Sequence, residues 1–391
     1  MNEQLIVKNF GPIDNATVDF KRVTVFIGPT GGGKSTLAKL AAVFRNSYWS
    51  SGIRNDKTKA FEELLNSFLI LDFIKENGNA EWISQKGNAS YSKNGLEHDN
   101  RKQSELAIAR HDIYNYIQQR LGGLKIAFDS IPAFQAQLAI SSLVDDSVIV
   151  EYIPADRSFA ASVDNSIAGL TIKDIALPEA LLFFLNDFQI AKNNLAHNPL
   201  KIPFLNNITY EIIDEQARIS LGINNTFTLG SSASGVQAVV PMMLVINDAS
   251  RLRSKVKPHS FIIEEPELNL YPAAQQGLLN WLIEKCTQNE NENDLTITTH
   301  SPYILSSCNL LLEAYKVAQL RPDLEDEIAA IVPKACWLNP DEFAAYYVAD
   351  GTVKPITDDR THLIGGNELD AVSGDISDSF RKLLRLKKQV A

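Results

Sequence analysis

Residues 23–45 read VTVFIGPTGGGKSTLAKLAAVFR, and their order sets the fold: an apolar run from Val23 to Ile27, a glycine-rich loop, then an Ala/Leu-rich stretch. The loop Gly28-Pro29-Thr30-Gly31-Gly32-Gly33-Lys34-Ser35 fits GxxxxGK[ST] and lies directly between a strand and a helix. Backbone without side chains can wrap its N–H groups around a phosphate, and the helix that follows points its positive end at the same oxygens. Lys34 is placed to neutralise β and γ phosphates, the Ser35 hydroxyl to ligate Mg²⁺, and Thr36 to join the nucleotide-binding set at the helix start. A merely flexible glycine turn is the alternative for the loop taken alone.

Further along, Phe261-Ile262-Ile263-Glu264-Glu265-Pro266 describes a buried strand that ends on two successive carboxylates. Neighbouring strand residues face opposite ways, so the two can serve different tasks. Glu264 is assigned to the metal and Glu265 to the attacking water; without the loop at Gly28, a solvated turn would be an equal reading. Thr298-Thr299-His300-Ser301-Pro302 ends the next strand, which brings His300 to the same sheet edge, within reach of a γ-phosphate; a lone histidine would read as structural, and its place at a strand end about 35 residues past two carboxylates favours the functional reading. Lys34, Glu265 and His300 are thus the catalytic candidates, with ATP and Mg²⁺ as the bound species. Ser232-Ala233-Ser234-Gly235-Val236-Gln237 precedes a long apolar helix reaching about Asn247.

Taken together these motifs resemble ABC-type ATPases of the SMC, RecF and OLD-like branch. The likeness rests on IVKNFGPIDNATVDF at the start, the phosphate loop, YIPADRS from Tyr152, LGSSASGVQ, FIIEEPELNLYP and TTHSPYIL, in that order. Within the branch the chain is similar to compact ATPases of bacterial antiphage systems, of OLD-like, PARIS and Septu type. The resemblance implies that the signature residues Ser234, Gly235 and Gln237 act in trans on a nucleotide held by another copy, so that at least a homodimer is needed. Asn269, Leu270 and Tyr271 fall where the branch places a loop crossing between subunits, with a plain turn as the alternative. Thr30 and Gly32 depart from the branch's usual asparagine and serine. Gln135 and Gln137 are candidates for the glutamine linking γ-phosphate to a moving lobe only by rough order. Arg157 is open between phosphate or subunit contact and a structural salt bridge.

The expected fold is α/β: an ABC-type ATPase head with a mixed or parallel sheet core flanked by helices, an antiparallel β-subdomain and a helical insertion lobe. Residues 1–56 carry the first part of the head. Residues 57–200 form a β-hairpin (81–84 with 89–92) and helical insertion with a returning core strand near 148–153. Residues 201–310 hold the second part, and 311–391 a C-terminal α/β extension with a hairpin at Asp350-Gly351. Helices are expected from Ala60 to about Ile74 with Gly78 as cap, over 100–121, from Pro178 through Ile190, and from Pro272 to about Cys286. Strands are expected at 208–213, 217–221 and 226–229.

Composition agrees with a globular chain of more than one lobe: 391 residues, 45% hydrophobic and 21% charged. No apolar stretch is long enough to cross a bilayer and no signal-type segment opens the chain, which places it in the cytoplasm with no membrane partner. Three cysteines are too few and scattered for a disulfide framework. The net charge of −10 argues against broad attraction to nucleic acid. A DNA-gripping repair clamp of RecF type stays open through a local basic cluster, Arg251, Arg253, Lys255 and Lys257. Arg381, Lys382, Arg385, Lys387 and Lys388 close the chain and read as a solvated helix end. The resemblance implies no nuclease in cis, since the segment after Ser301 holds no DxD, and no chromosome-spanning arm, since no long heptad run separates Lys34 from Ser234. What it implies instead is an ATP-driven regulator of a separate effector protein.

Overall fold

The computed structural model describes residues 3–50, 56–99, 148–164, 177–195, 198–206, 208–213, 216–222, 225–250, 258–287 and 292–365. The helix expected over 100–121, Gln135 and Gln137, and both basic clusters lie outside the described residues.

The architecture is α/β, built on an 11-stranded mixed sheet with a separate four-stranded antiparallel sheet. The parallel part of the large sheet comprises β3 (Val23–Ile27), β7 (Ile149–Ile153), β12 (His259–Glu264), β13 (Asp294–Thr299) and β14 (Phe343–Ala349), in the order β14-β3-β13-β12-β7. Every residue of β3, β12, β13 and β14 is buried, as expected for parallel strands covered on both faces. Apolar side chains alternate between two cores: Val23, Val25 and Ile27 point to one, Phe26 to the other. The first core is closed by α3 (Glu179–Leu195), α4 (Ser234–Asp248), α5 (Pro272–Thr287) and α6 (Pro302–Leu320). The second is closed by α1 (Lys34–Arg45) and α2 (Lys57–Ser67).

A wing that is antiparallel except where β15 meets β2 in parallel continues the same sheet through β15 (Thr352–Pro355), β2 (Ile13–Phe20), β1 (Glu3–Phe10), β4 (Ile74–Ser84), β5 (Gly87–Ser92) and β6 (Gly95–His98). The expected hairpin is thus β4–β5, with β6 added as a third strand. The terminal hairpin is β14–β15, turned by Asp350 and Gly351 at φ 48° and 69°, as a two-residue turn with both central residues left-handed requires. Its first strand sits beside β3 in the large sheet. The small sheet joins β8 (Leu200–Ile202), β9 (Ile208–Ile213), β10 (Gln216–Ser220) and β11 (Thr226–Phe227); β8 has no counterpart among the expected strands.

One expected helix is corrected. The helix read from Ala60 to Ile74 with Gly78 as its cap ends at Ser67, and Gly78 lies inside β4. Leu69 takes a left-handed φ of 57°; its N–H donates to Asn66 O at 2.8 Å and that of Ile70 to Leu65 O at 2.9 Å. Those two bonds are a Schellman closure, formed here on a leucine. The apolar spacing continues past it because Phe68 and Ile70 are buried from the turn itself.

Candidate functional site

Parallel pairing brings the carboxyl ends of β3, β12, β13, β7 and β14 to one edge of the sheet. Register sets them level: Ile27 pairs with Thr299, Thr298 with Glu264, and Ile263 with Ile153. The residues that follow these strands, Gly28, His300, Glu265 and Pro154, therefore converge where open α/β sheets bind their ligands.

The glycine loop is pressed against β14. A Cβ on Gly28, whose φ is 153°, would lie 2.1 Å from Val348 O, so only glycine fits. Pro29, Thr30 and Gly31 are exposed, Gly32 and Ser35 half-buried, Thr36 buried. Gly33 is the N-cap of α1 and supplies no side-chain cap bond, leaving the first-turn amides facing the loop without an intrahelical partner. Lys34 Nζ donates to Gly28 O at 2.9 Å and Pro29 O at 3.0 Å, folding the ammonium into the loop. Burial lowers the Lys34 pKa, while Glu265, Glu267 and Glu264 pull it the other way.

The carboxylates surround that ammonium. His300 Nε2 stands 2.8 Å from Glu265 Oε1 and 3.2 Å from Lys34 Nζ, so the imidazole bridges the other two groups. Glu265 occupies a left-handed φ of 43° directly before Pro266, and its N–H donates to Thr298 O at 2.8 Å. Such a conformation costs a non-glycine residue about 1–3 kcal/mol and turns the side chain out of the strand's alternation. Glu264 is buried and accepts from Ala155 N at 3.4 Å through Oε2.

Glu267 belongs to this cluster and is absent from the sequence reading. It is buried; Oε1 accepts from Thr299 Oγ1 at 2.5 Å and from His300 N at 3.1 Å. Burial raises its pKa, with those hydrogen bonds opposing. Its signal in the sequence was a third carboxylate just beyond a wholly apolar strand, in a chain segment that returns to the core.

In this cluster two buried carboxylate oxygens, Glu264 Oε1 and Glu267 Oε2, have no hydrogen-bond partner. Among the described residues no cluster of three or more His, Cys, Asp or Glu is arranged to hold a metal. One free carboxylate oxygen beside a hydroxyl fits a magnesium ion, which keeps waters and substrate phosphates in most of its shell. Glu264 Oε1 supplies such an oxygen, and Ser35, half-buried in the first turn of α1, supplies a hydroxyl at the same edge of the sheet.

Ser234 is exposed at the first position of α4, and Gly235 behind it is buried against Asn269: a Cβ there would lie 2.8 Å from Asn269 O. Asn269 is left-handed at φ 61°, and Leu270 N donates to Glu267 O at 3.0 Å. The segment is a turn, and it holds Tyr271 outward at 80% exposure. Gln237 folds back, donating to Gly230 O at 2.8 Å and Ser232 O at 2.9 Å. Arg157 is corrected on both of its open readings: it is fully buried, and it binds the main-chain carbonyls of Pro154, Ala238, Glu264 and Glu265. Burial lowers its pKa to about 10. The three cysteines are buried and free. No helix among the described residues is long and apolar enough to cross a membrane.

Fold and loop define a P-loop ATPase domain. Residues 171–305 match the AAA_15 family, an AAA ATPase domain; the match takes in the Ser234 turn, the carboxylates and His300. A search of curated proteins finds no match. Similar solved structures include an SMC head bound to the C-winged helix domain of ScpA, 10% identical over 90% of this chain and 96% of that one, with a TM-score of 0.41. The SMC head domain from Thermotoga maritima is 12% identical, over 91% of this chain and 98% of that chain, at 0.40. An Smc head domain with an extended coiled coil, bound to the C-terminal domain of ScpA from Pyrococcus furiosus, is 12% identical over 90% and 95%, at 0.41.

Proposed function

We propose that the chain is a Mg²⁺-dependent ATP-hydrolysing switch that works as a head-to-tail homodimer and controls a separate effector protein in bacterial defence against phage. The observation that carries the chemistry is the Lys34–His300–Glu265 contact chain at the carboxyl edge of the sheet. A lysine folded onto the glycine loop is poised to exchange carbonyls for β and γ phosphate oxygens, with loop and first-turn N–H groups completing the cradle. Ser35 and Glu264 would hold Mg²⁺, which supplies charge neutralisation on the phosphates when bound. Glu265 accepts the proton of the water whose oxygen attacks the γ-phosphorus as the bond to the β-γ bridging oxygen breaks. His300 fixes that carboxylate and reaches toward the γ-phosphate.

Capping in trans draws its support from the surface. Ser234 is exposed and makes no hydrogen bond to this cluster, while Tyr271 and Tyr303, at 80% and 53% exposure, flank the motif turns. A facing copy would cover the tyrosines and bring a serine hydroxyl with helix N–H groups to the bound triphosphate. The role in defence rests on the motif resemblance, and co-purification from the native host tests it by asking whether a nuclease or toxin accompanies the chain.

The decisive experiment for the switch is size-exclusion chromatography with light scattering on a Glu265→Gln variant. It should bind ATP as the parent does, hydrolyse it about 10² to 10⁴ times more slowly, and accumulate as an ATP-bound dimer that a Ser234→Arg change disperses. A Glu265→Gln chain that stays monomeric with ATP bound removes the capping mechanism.

A further inference from the structure

Arg157 is the largest fully buried side chain among the described residues. Its guanidinium spans three elements: Nη1 donates to Pro154 O at 3.2 Å, after β7, and to Glu264 O at 2.7 Å. Nη2 donates to Glu265 O at 2.7 Å, and Nε to Ala238 O at 3.0 Å, in α4. A buried arginine ordinarily faces carboxylate side chains. Every hydrogen bond of this one ends on a main-chain carbonyl among the described residues, so what it fixes is backbone.

Both backbones it fixes are of unusual kind. Glu265 is held in a left-handed conformation before a proline, and its carbonyl is one of the acceptors. Helix α4 carries Pro241 in its interior. A proline there has no N–H for Gln237 O and crowds that carbonyl, which removes one of the helical bonds tying residues 234–240 to the rest of the helix. The Ala238 carbonyl, one turn beyond Ser234, is where Arg157 takes hold of that segment.

We propose that Arg157 is a positioning residue for ATP hydrolysis, locking the Glu264–Glu265 main chain to the first turns of α4 so that the carboxylate pair and Ser234 move as one unit. The assignment rests on the nucleotide reading above. It makes one side chain the link between the two half-sites that each copy contributes: the one that holds a nucleotide and the one that caps the partner's. Lysine cannot replace it, because a single ammonium lacks the fork that reaches three elements at once.

The test uses the full chain with Ala233→Cys, an exposed position beside Ser234, labelled with an environment-sensitive fluorophore; the three native thiols are buried and shielded. Titration with Mg-ATP is run at concentrations where light scattering shows monomer, and binding at the loop is followed separately with a fluorescent ATP analogue. In the parent the label responds to Mg-ATP. With Arg157→Lys, affinity should stay within about threefold, the label's response should vanish, and kcat should fall about 10²-fold with KM little changed. A merely structural arginine would lower thermal stability and leave the response and the turnover per folded molecule intact, and that result overturns the proposal. So does a parent label that ignores Mg-ATP while the analogue binds; absence of analogue binding instead removes the nucleotide reading itself. If Arg157→Lys does not fold, hydrogen exchange on the unaltered monomer decides. Mg-ATP must change exchange of segments 233–240 and 264–266 together, and a change confined to 264–266 overturns the link.

Discussion

Glu267 shows what one side chain can decide at the centre of the cluster. Its Oε1 holds Thr299 Oγ1 and the His300 N–H, so the position of the imidazole depends on a carboxylate outside the Glu264–Glu265 pair. Removing that acceptor with Glu267→Ala gives up hydrogen bonds of the charge-assisted kind, about 1.5–3 kcal/mol each. Turnover is therefore expected to drop about 10- to 100-fold, with ATP affinity nearly unchanged. Glu267→Gln keeps an oxygen acceptor for both donors and should retain most of the activity. The sign of its stability effect follows from the raised pKa: the folded state binds the proton more tightly than the unfolded chain and forfeits that stability as pH rises through the folded pKa. The uncharged Gln variant should thus match or exceed the parent's Tm at pH 7 to 8, as measured by calorimetry. A Gln variant that falls as far as Ala in turnover would place the charge itself, rather than the hydrogen bonds, in the chemistry.

Among elements, the contact between the glycine loop and β14 carries the clearest prediction. Gly28 and Gly31 both have positive φ, but a Cβ on Gly28 meets Val348 O at 2.1 Å, whereas one on Gly31 meets nothing within 4 Å. Gly31→Ala bears conformational strain alone, about 1–2 kcal/mol. Gly28→Ala must also displace β14, which adds about 1–3 kcal/mol and should loosen ATP binding at least tenfold. Thermal melts and nucleotide titrations of the two variants check this, and equal losses would mean that β14 does not brace the loop. That contact marks where the sequence stops being legible. The loop, the paired carboxylates, His300 and the strands bearing them are local patterns, and each motif announces its own element. The neighbour of β3 is a strand more than 300 residues later, and nothing in FAAYYVA says that it inserts beside VTVFI instead of closing a separate lobe. Arg157 was equally opaque, since an arginine that binds four carbonyls has no complementary side chain to look for. The end of α2 at Ser67 is hidden for a related reason: Phe68 and Ile70 keep helical spacing but are buried by a turn.

At the scale of the molecule, α1 runs from Lys34 at the carboxyl edge of the parallel strands to Arg45 at the opposite edge of the sheet, about 18 Å at 1.5 Å per residue. Its far end is anchored in a buried charge cluster. Arg45 reaches Glu3 at 2.8 Å, Asp294 at 3.0 Å and Ser260 Oγ at 2.8 Å, and lies over the rings of Phe20 and Trp82. The cluster joins the start of β1, the amino ends of β12 and β13 and the end of α1, so both wings of the sheet depend on it. Burial drives the Asp294 carboxyl up from 3.8 to about 6 even though Arg45 opposes the shift, and its Oδ2 has no partner. Because the folded pKa exceeds the unfolded one, the stabilisation is fully present below about pH 4 and is lost as pH rises through 6. A shift of about two units corresponds to about 3 kcal/mol at most. Acidification from pH 7 to 4 should therefore favour the parent over Asp294→Asn by about 1–3 kcal/mol, read from urea unfolding at pH 7, 6, 5 and 4. Parallel curves for the two proteins would mean that Arg45 balances burial and leaves the Asp294 pKa where it lies in the unfolded chain, and a parent that loses ground to Asn on acidification would make the anchor of α1 a full ion pair.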